Sequence, residues 1–281
     1  MRYLEGRPLS LTHTFYADDE ETPLTLDSVT ATLTDDTGVA IGDPVSATAG
    51  DDSSWQATFS AQPLGRYYVV WSGGDYVEFD AFEVVGGFLF TVPQVRASDT
   101  DLVDKDLFPA DEIIRYREVV ESEFEEMAGR SFTPRVRRVT FVSDGTGEFV
   151  SLTPDSQGIE SVTVDGTPID DISGWHVTRL GKIVAPDTVA RGAEVVVTVR
   201  YGFTTPPAEV ARVGMIRLRD LMVSESAGIP DRATTWQPEE GGTYRLATPG
   251  LSGFQTGIPE VDATVKRYRL DTVLAVFGAD V

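Results

Sequence analysis

Few residues in this chain could do covalent or metal chemistry, and their spacing does not favour it. There are two histidines, His13 and His176, and no cysteine. Without a thiol there is no disulfide framework, no thiolate zinc site and no cysteine nucleophile. Both histidines fall in strand-patterned runs with no His or carboxylate at metal-ligand spacing, so each reads as an ordinary strand residue. No Gly-x-Ser-x-Gly elbow marks a serine nucleophile, and no glycine loop of the phosphate- or dinucleotide-binding kind occurs. DTDLVDKD spaces Asp99, Asp101, Asp104 and Asp106 somewhat like a calcium loop. Its sixth and twelfth positions, where an EF-hand needs Gly and Glu, hold Asp104 and Ala110. A solvated acidic linker is the better reading. With 45 acids, chance carboxylate pairs are unavoidable and none favours a hydrolase. The expectation is no enzyme, no metal and no cofactor.

What remains is chemistry of association. RSFTPRVRR (130–138) carries Arg130, Arg135, Arg137 and Arg138 with no acid among them, and KRYR (266–269) adds Lys266, Arg267 and Arg269. In an acidic protein such islands suit docking to an acidic partner or a neighbouring subunit, with a merely solvated face as the alternative. Between Gly228 and Pro259 lies a connection of about thirty residues without apolar period, well beyond the usual length of a structureless loop. Trp236, Tyr244, Leu246, Leu251 and Phe254 are scattered through it. Such side chains bury against another chain, as interface anchors, or fold back onto their own domain.

The net charge is −22 over 281 residues. Residues 1–92 hold 3 Lys and Arg against 15 Asp and Glu, a net of −12. Such a surface does not grip nucleic acid, because phosphate binding needs positive charge. It suits solubility and self-avoidance, or a surface past which DNA slides without sticking. No run of 18 apolar residues spans a membrane, and MRYLEGRPLS lacks an apolar signal core, which argues against Sec export.

The elements that must position these residues fall into two groups. Residues 1–87 read as all-β, with strand-like runs at 8–17, 28–35, 54–61, 66–73 and 76–85 separated by Asp/Gly turns. That pattern suggests a small immunoglobulin-like β-sandwich. Residues 88–107 read as a linker. From Asp111 the period changes to that of a helix, with Ile113, Tyr116, Val120, Phe124 and Met127 on one stripe. Glu118, Glu121, Glu125 and Glu126 fall largely away from it. Helices are expected over about 110–128, 207–227 and 259–277, a β-rich insert over 136–201, and the arm over 229–258. The fold class is therefore α+β with several domains, 108–281 forming the second.

ADEIIRYREVVESEFEEMAGRSFTPR resembles the first helix of head-to-tail connector proteins, the adaptor rings beneath the portal of long-tailed bacteriophages. VRYGFTTPPAEVARVGMIRLRDLM is similar to that family's next element, a strand ending in Tyr-Gly followed by a proline-opened helix. IPDRATTWQPEEGGTYRLATPGLSGFQTGIPEVDATVKRYR is similar to adaptors from phages of actinobacterial hosts. The resemblance covers roughly 108–277. It implies a virion protein of the neck, assembled in the host cytoplasm as a ring of identical subunits, usually twelve. Its partners would be the portal protein, neighbouring subunits and the next neck protein, a stopper or tail terminator. DNA would pass through the lumen without specific binding. Residues 1–92 lie outside the resemblance. The alternative is a carbohydrate-binding or adhesion protein whose β-sandwich reads glycans through Trp55, Trp71 and Tyr76.

Overall fold

The computed structural model describes residues 1–150, 155–178, 181–226, 235–236, 244–245 and 255–270. Among these, the chain is a mixed α/β protein with four α-helices and several sheets. The N-terminal part contributes β1 (Arg2–Leu4), β2 (Leu9–His13), β3 (Thr30–Thr34), β4 (Val45–Ser46), β5 (Thr48–Ala49), β6 (Trp55–Phe59), β7 (Gly65–Gly73) and β8 (Tyr76–Val85). They form a five-stranded sheet in the order β1-β8-β7-β3-β4 and a three-stranded sheet β2-β6-β5. Period-2 alternation turns Leu9 and Leu11, Trp55, Ala57 and Phe59, and Tyr67, Val69 and Trp71 into one core shared by both sheets. In β7 the opposite face, Tyr68, Val70 and Ser72, is half-buried, which explains the near-continuous apolar run there.

The first strand escapes a pattern reading. It is three residues long and pairs in parallel with the far end of β8, Arg2 opposite Glu83 and Leu4 opposite Val85. Because it lies at the sheet edge beside β8, it carries Arg2 to the foot of the N-terminal unit.

The stretch 88–107, expected as a linker, is a packed element. It forms α1 (Val92–Ser98), opened by a Thr91–Gln94 capping box, and a short 3-10 turn at Asp101–Val103. Leu89, Phe90, Val95 and Leu102 are buried in the same core as the long helices. Arg96 secures the return path, donating to the carbonyls of Leu102, Val103 and Phe108. The acidic run is tied down as well, since Asp99 and Asp101 both pair with Arg219. A short helix whose apolar residues serve a distant partner leaves little periodic signal.

α2 (Ala110–Ala128) begins with Asp111 and Glu112 in its first turn, where the helix dipole favours acids, and stops at Gly129 with φ +66°. It packs against α3 (Ala208–Ser226) and α4 (Pro259–Arg267) around Ile113, Val120, Phe124, Val213, Leu218, Val261 and Val265. Gly214, in mid-helix, is explained by close approach: a Cβ there would meet Phe90 at 2.8 Å and Leu89 at 2.9 Å. α4 is shorter than the expected 259–277. The chain leaves helical geometry at Tyr268, Leu270 donates its N–H to the Ala128 carbonyl, and 271–281 lie outside the described residues.

Between α2 and α3 the insert forms β9 (Arg135–Val142), β10 (Glu148–Val150), β11 (Ser156–Val164), β12 (Thr167–Pro168), β13 (His176–Val177), β14 (Lys182–Val184) and β15 (Glu194–Tyr201). Two sheets, β12-β11-β15-β9 and β10-β14-β13, enclose a third core built on Val162, Ile183, Val195, Val197 and Val199. The two-residue turn Asp165-Gly166 has φ positive at both positions, the form that Asp-Gly favours in tight hairpins. Within the arm, β16 (Thr235–Trp236) pairs antiparallel with β17 (Tyr244–Arg245). Its end is also anchored: Thr256 is buried and gives both its N–H and its hydroxyl to Asp262 of α4.

Candidate functional site

The helix α2 is used on two faces. Its acidic residues Glu118, Glu121 and Glu125 fall away from the apolar stripe, yet they do not simply meet water. Instead Glu121 is only 3% exposed and Glu125 17%. Two arginines from distant parts of the chain reach them. Arg2 of β1 pairs with Glu121, lies 3.2 Å from Glu125 and 3.7 Å from Glu83, and gives its backbone N–H to Glu118 at 2.8 Å. Arg135 of β9 lies 2.8 Å from Glu125 and 3.3 Å from Glu83. The second oxygen of Glu121 accepts the Leu89 N–H at 2.8 Å. One network thus ties β1, β8, the start of the 88–107 stretch, α2 and β9 together.

The two ends of this network differ electrostatically. Burial pulls the Arg2 guanidinium down, but Glu125, Glu121 and Glu83 outweigh it and hold its pKa above the ordinary value. Burial pushes the Glu125 carboxyl up, against Arg135 and Arg2, and the neighbouring Glu121 and Glu83 add to that rise. Glu125 is the weaker end because burial strips its water and two further carboxylates stand near it.

Above the network opens a crevice of about 830 Å3 between the N-terminal sheet and the insert. Arg2, Arg66, Arg135, Arg137 and Arg138 line it, against the acids Asp35, Asp36, Glu83 and Glu118. Two of its lining elements carry the same motif: Arg66 lies over the Tyr68 ring on β7, and Arg137 over the Tyr201 ring across β9 and β15. Stacking satisfies the face of a guanidinium and leaves its N–H edge free for an acceptor. Both arginines are exposed. Arg135 is nine-tenths buried, and its Nε has no hydrogen-bond partner among the described residues.

The arginines expected as an external docking patch are therefore divided. Arg135 is buried in the junction, and Arg138 pairs with Asp36 of the N-terminal unit at 3.2 Å. Arg130 sits 4.3 Å over the Phe203 ring. Only Arg137 faces the open crevice without an ion pair among the described residues. Two of the four thus pair with acids of the chain itself, Arg135 with Glu125 and Glu83 and Arg138 with Asp36. Gly202, beside Phe203, shows how tight this corner is: its φ is +89° and a Cβ would stand 2.2 Å from the Thr133 carbonyl oxygen.

On the last helix, Arg267 pairs with Glu209 of α3 at 2.6 Å, while Lys266 and Arg269 are exposed and carry no ion pair among the described residues. Leu246, Leu251 and Phe254 lie outside the described residues. Trp236 and Tyr244 stand opposite each other in the β16–β17 pairing.

Sequence spacing hid a second charged cluster. His13 places Nδ1 2.8 Å from Asp80 and Nε2 3.1 Å from Glu78, its ring stacked on Trp71, whose Nε1 also donates to Asp80. Burial lowers the imidazole pKa, but the bonds and charges of Asp80 and Glu78 raise it further. Asp80 is held below the usual carboxylate range, chiefly by its bond to His13. No group among the described residues is arranged to hold a metal ion. The glycan platform expected of Trp55, Trp71 and Tyr76 is not formed, because Trp55 and Trp71 are core residues and only Tyr76 is exposed. No helix among the described residues is long and apolar enough to cross a membrane. In comparison with known proteins, no family model matches the chain and no characterised protein matches it.

Proposed function

We propose that this chain is a structural head-to-tail adaptor: an immunoglobulin-like sandwich followed by a helical adaptor domain, assembled as a ring between a portal and the next neck protein, with DNA passing through the lumen. One observation carries the reading. The three segments that resemble connector proteins, distant in sequence, meet at a single aromatic node. Phe132, which follows the end of α2, stacks on Phe203, which follows the Tyr-Gly pair, at 5.9 Å. Tyr268, from the KRYR run, packs edge-on to both, at 5.9 and 5.7 Å. The segments that carry the resemblance thus meet where one helical core closes, which supports the reading of a common scaffold. The Tyr268 hydroxyl bonds Glu209, so the node also fixes α3 against α4.

The role needs no chemistry, in keeping with a chain whose buried charges, Arg2, Arg135 and Glu121 among them, join its own parts. The arm, through Trp236, Tyr244, Leu246, Leu251 and Phe254, supplies contacts to the neighbouring subunit or the portal, and Lys266 and Arg269 stand free for an acidic partner. Mass photometry of the full chain, alone and with the portal protein of the same genome, tests the proposal. A closed ring of about twelve copies on the portal is expected. A chain that never associates with the portal ring sinks the reading.

A further inference from the structure

We infer that neighbouring copies join by a plug and a socket: the acidic hairpin at residues 17–22 of one copy enters the arginine crevice of the next. This rests on the adaptor reading, because only a repeating assembly needs such a contact, and it names the surfaces that make it.

The plug is a built projection. Ala-Asp-Asp-Glu-Glu-Thr (17–22) closes above a bridge between Tyr16 and Pro23, with Ala17 N–H donating to the Thr22 carbonyl at 2.9 Å. Asp19 holds the tip from inside, accepting the N–H groups of Glu21 and Thr22 and the Thr22 hydroxyl. Glu20 sits at φ +58°, a conformation uncommon for a residue with a side chain. This rigidity leaves Asp18, Glu20 and Glu21 exposed, with no ion pair among the described residues. A preformed tip loses little conformational freedom on binding.

The socket offers what such a tip requires. Arg66 on β7 and Arg137 on β9, each stacked on a tyrosine, both line it with exposed guanidiniums. Arg2, Arg135 and Arg138 are already paired with acids of the chain, so in a chain of net charge −22 Arg66 and Arg137 are the crevice donors left for an incoming carboxylate. Its volume lies in the range of clefts that take up ligand-sized groups.

Position completes the case. The crevice includes Gly65–Tyr68 and Ala81–Glu83, which pair with each other at one end of the β7–β8 hairpin. The plug is rooted at the other end, where Phe15 packs on Tyr76 next to the turn. From Tyr68, the nearest crevice residue on β7, to Gly73 is five residue steps of strand, roughly 17 Å. Complementary surfaces on opposite ends cannot satisfy each other within one copy. Between copies they give a heterologous contact, which closes into a ring when the rotation permits.

Sedimentation of the full-length chain tests this. The wild type is expected to associate at about 50 mM salt and to dissociate at about 500 mM, since exposed charges are screened over a few ångströms there. Asp18→Lys with Glu21→Lys, or Arg66→Glu with Arg137→Glu, should each weaken association at least tenfold while leaving the melting temperature unchanged. An equimolar mixture of the two variants should associate again, because the reversed plug then meets the reversed crevice. A wild type that stays monomeric, a single variant that associates like the wild type, or a mixture that stays monomeric overturns the inference. The adaptor reading is judged separately: rings of normal mass formed on the portal by the Arg66→Glu, Arg137→Glu variant reject this contact and leave that reading intact.

Discussion

The two faces of α2 join it to the rest of the molecule by opposite means. On one face Ile113, Tyr116, Val120 and Phe124 pack into the core formed with α3 and α4. On the other, Glu118, Glu121 and Glu125 are held by Arg2 and Arg135 against the N-terminal unit. The apolar face is non-directional and tolerates small shifts, so it stabilises the helical core in bulk. The ionic face is directional and intolerant, because each carboxylate oxygen has an assigned donor. It fixes the placement of one unit on another more than it adds net stability, since desolvation offsets much of the attraction. A helix of nineteen residues can thus hold a core and set an angle at the same time.

Cutting the apolar face should have the largest effect. Phe124→Ala removes a fully buried ring at the centre of the helix packing, and a loss of about 4 kcal/mol is expected from chemical denaturation. A loss below about 1 kcal/mol would mean the helical core does not depend on this contact.

Cutting the ionic face comes next. Glu121→Ala leaves Arg2 and the Leu89 N–H without their shared acceptor in a buried place, at a cost of about 3 kcal/mol. The proteolytic sensitivity of 88–107 should rise with it, since that stretch is held at its start by the same carboxylate. For contrast, Arg138→Ala breaks a pair exposed on both sides and should change stability by less than about 0.5 kcal/mol. Equal effects from the two variants would remove the distinction between a buried network and a surface contact.

An effect smaller than either of these cuts is a pH dependence confined to the N-terminal unit. The imidazole of His13 is raised from an ordinary value near 6.5, so its contribution is complete below that value and lost as pH rises above it. The Asp80 carboxyl is lowered from near 3.8, so its contribution is present above that value and lost as pH falls below it. The pair therefore stabilises most between about pH 4 and 6.5, by less than about 1 kcal/mol because Asp80 is half-exposed. His13→Gln should lower the melting temperature most inside that window and little above pH 8. A penalty that does not vary with pH would assign His13 to packing on Trp71 alone.

Much of this was legible from local pattern. β6, β7 and β8 could be read from alternation, the end of α2 from Gly129, and the start of α4 from Pro259, because each depends on neighbours within a few residues. The helical character of 92–98 was not, since Val95 is buried by residues far along the chain. Nor was the junction. Arg2 and Glu121 are separated by 119 residues, and no period links a three-residue edge strand to a helix face.

By itself, then, the sequence determined the longer strands and helices, the end of α2, and that the chain is strongly acidic with no thiol chemistry. Those properties follow from backbone preference and composition, which act locally or on the whole chain at once. Only the tertiary structure decided which charges are surface and which are mortar. Glu121 and Arg135 have the composition of solvent-facing residues, and became buried because folding set each beside an opposite charge from elsewhere in the chain. A charge leaves water only where its partner is already in place, and that is a property of three-dimensional proximity.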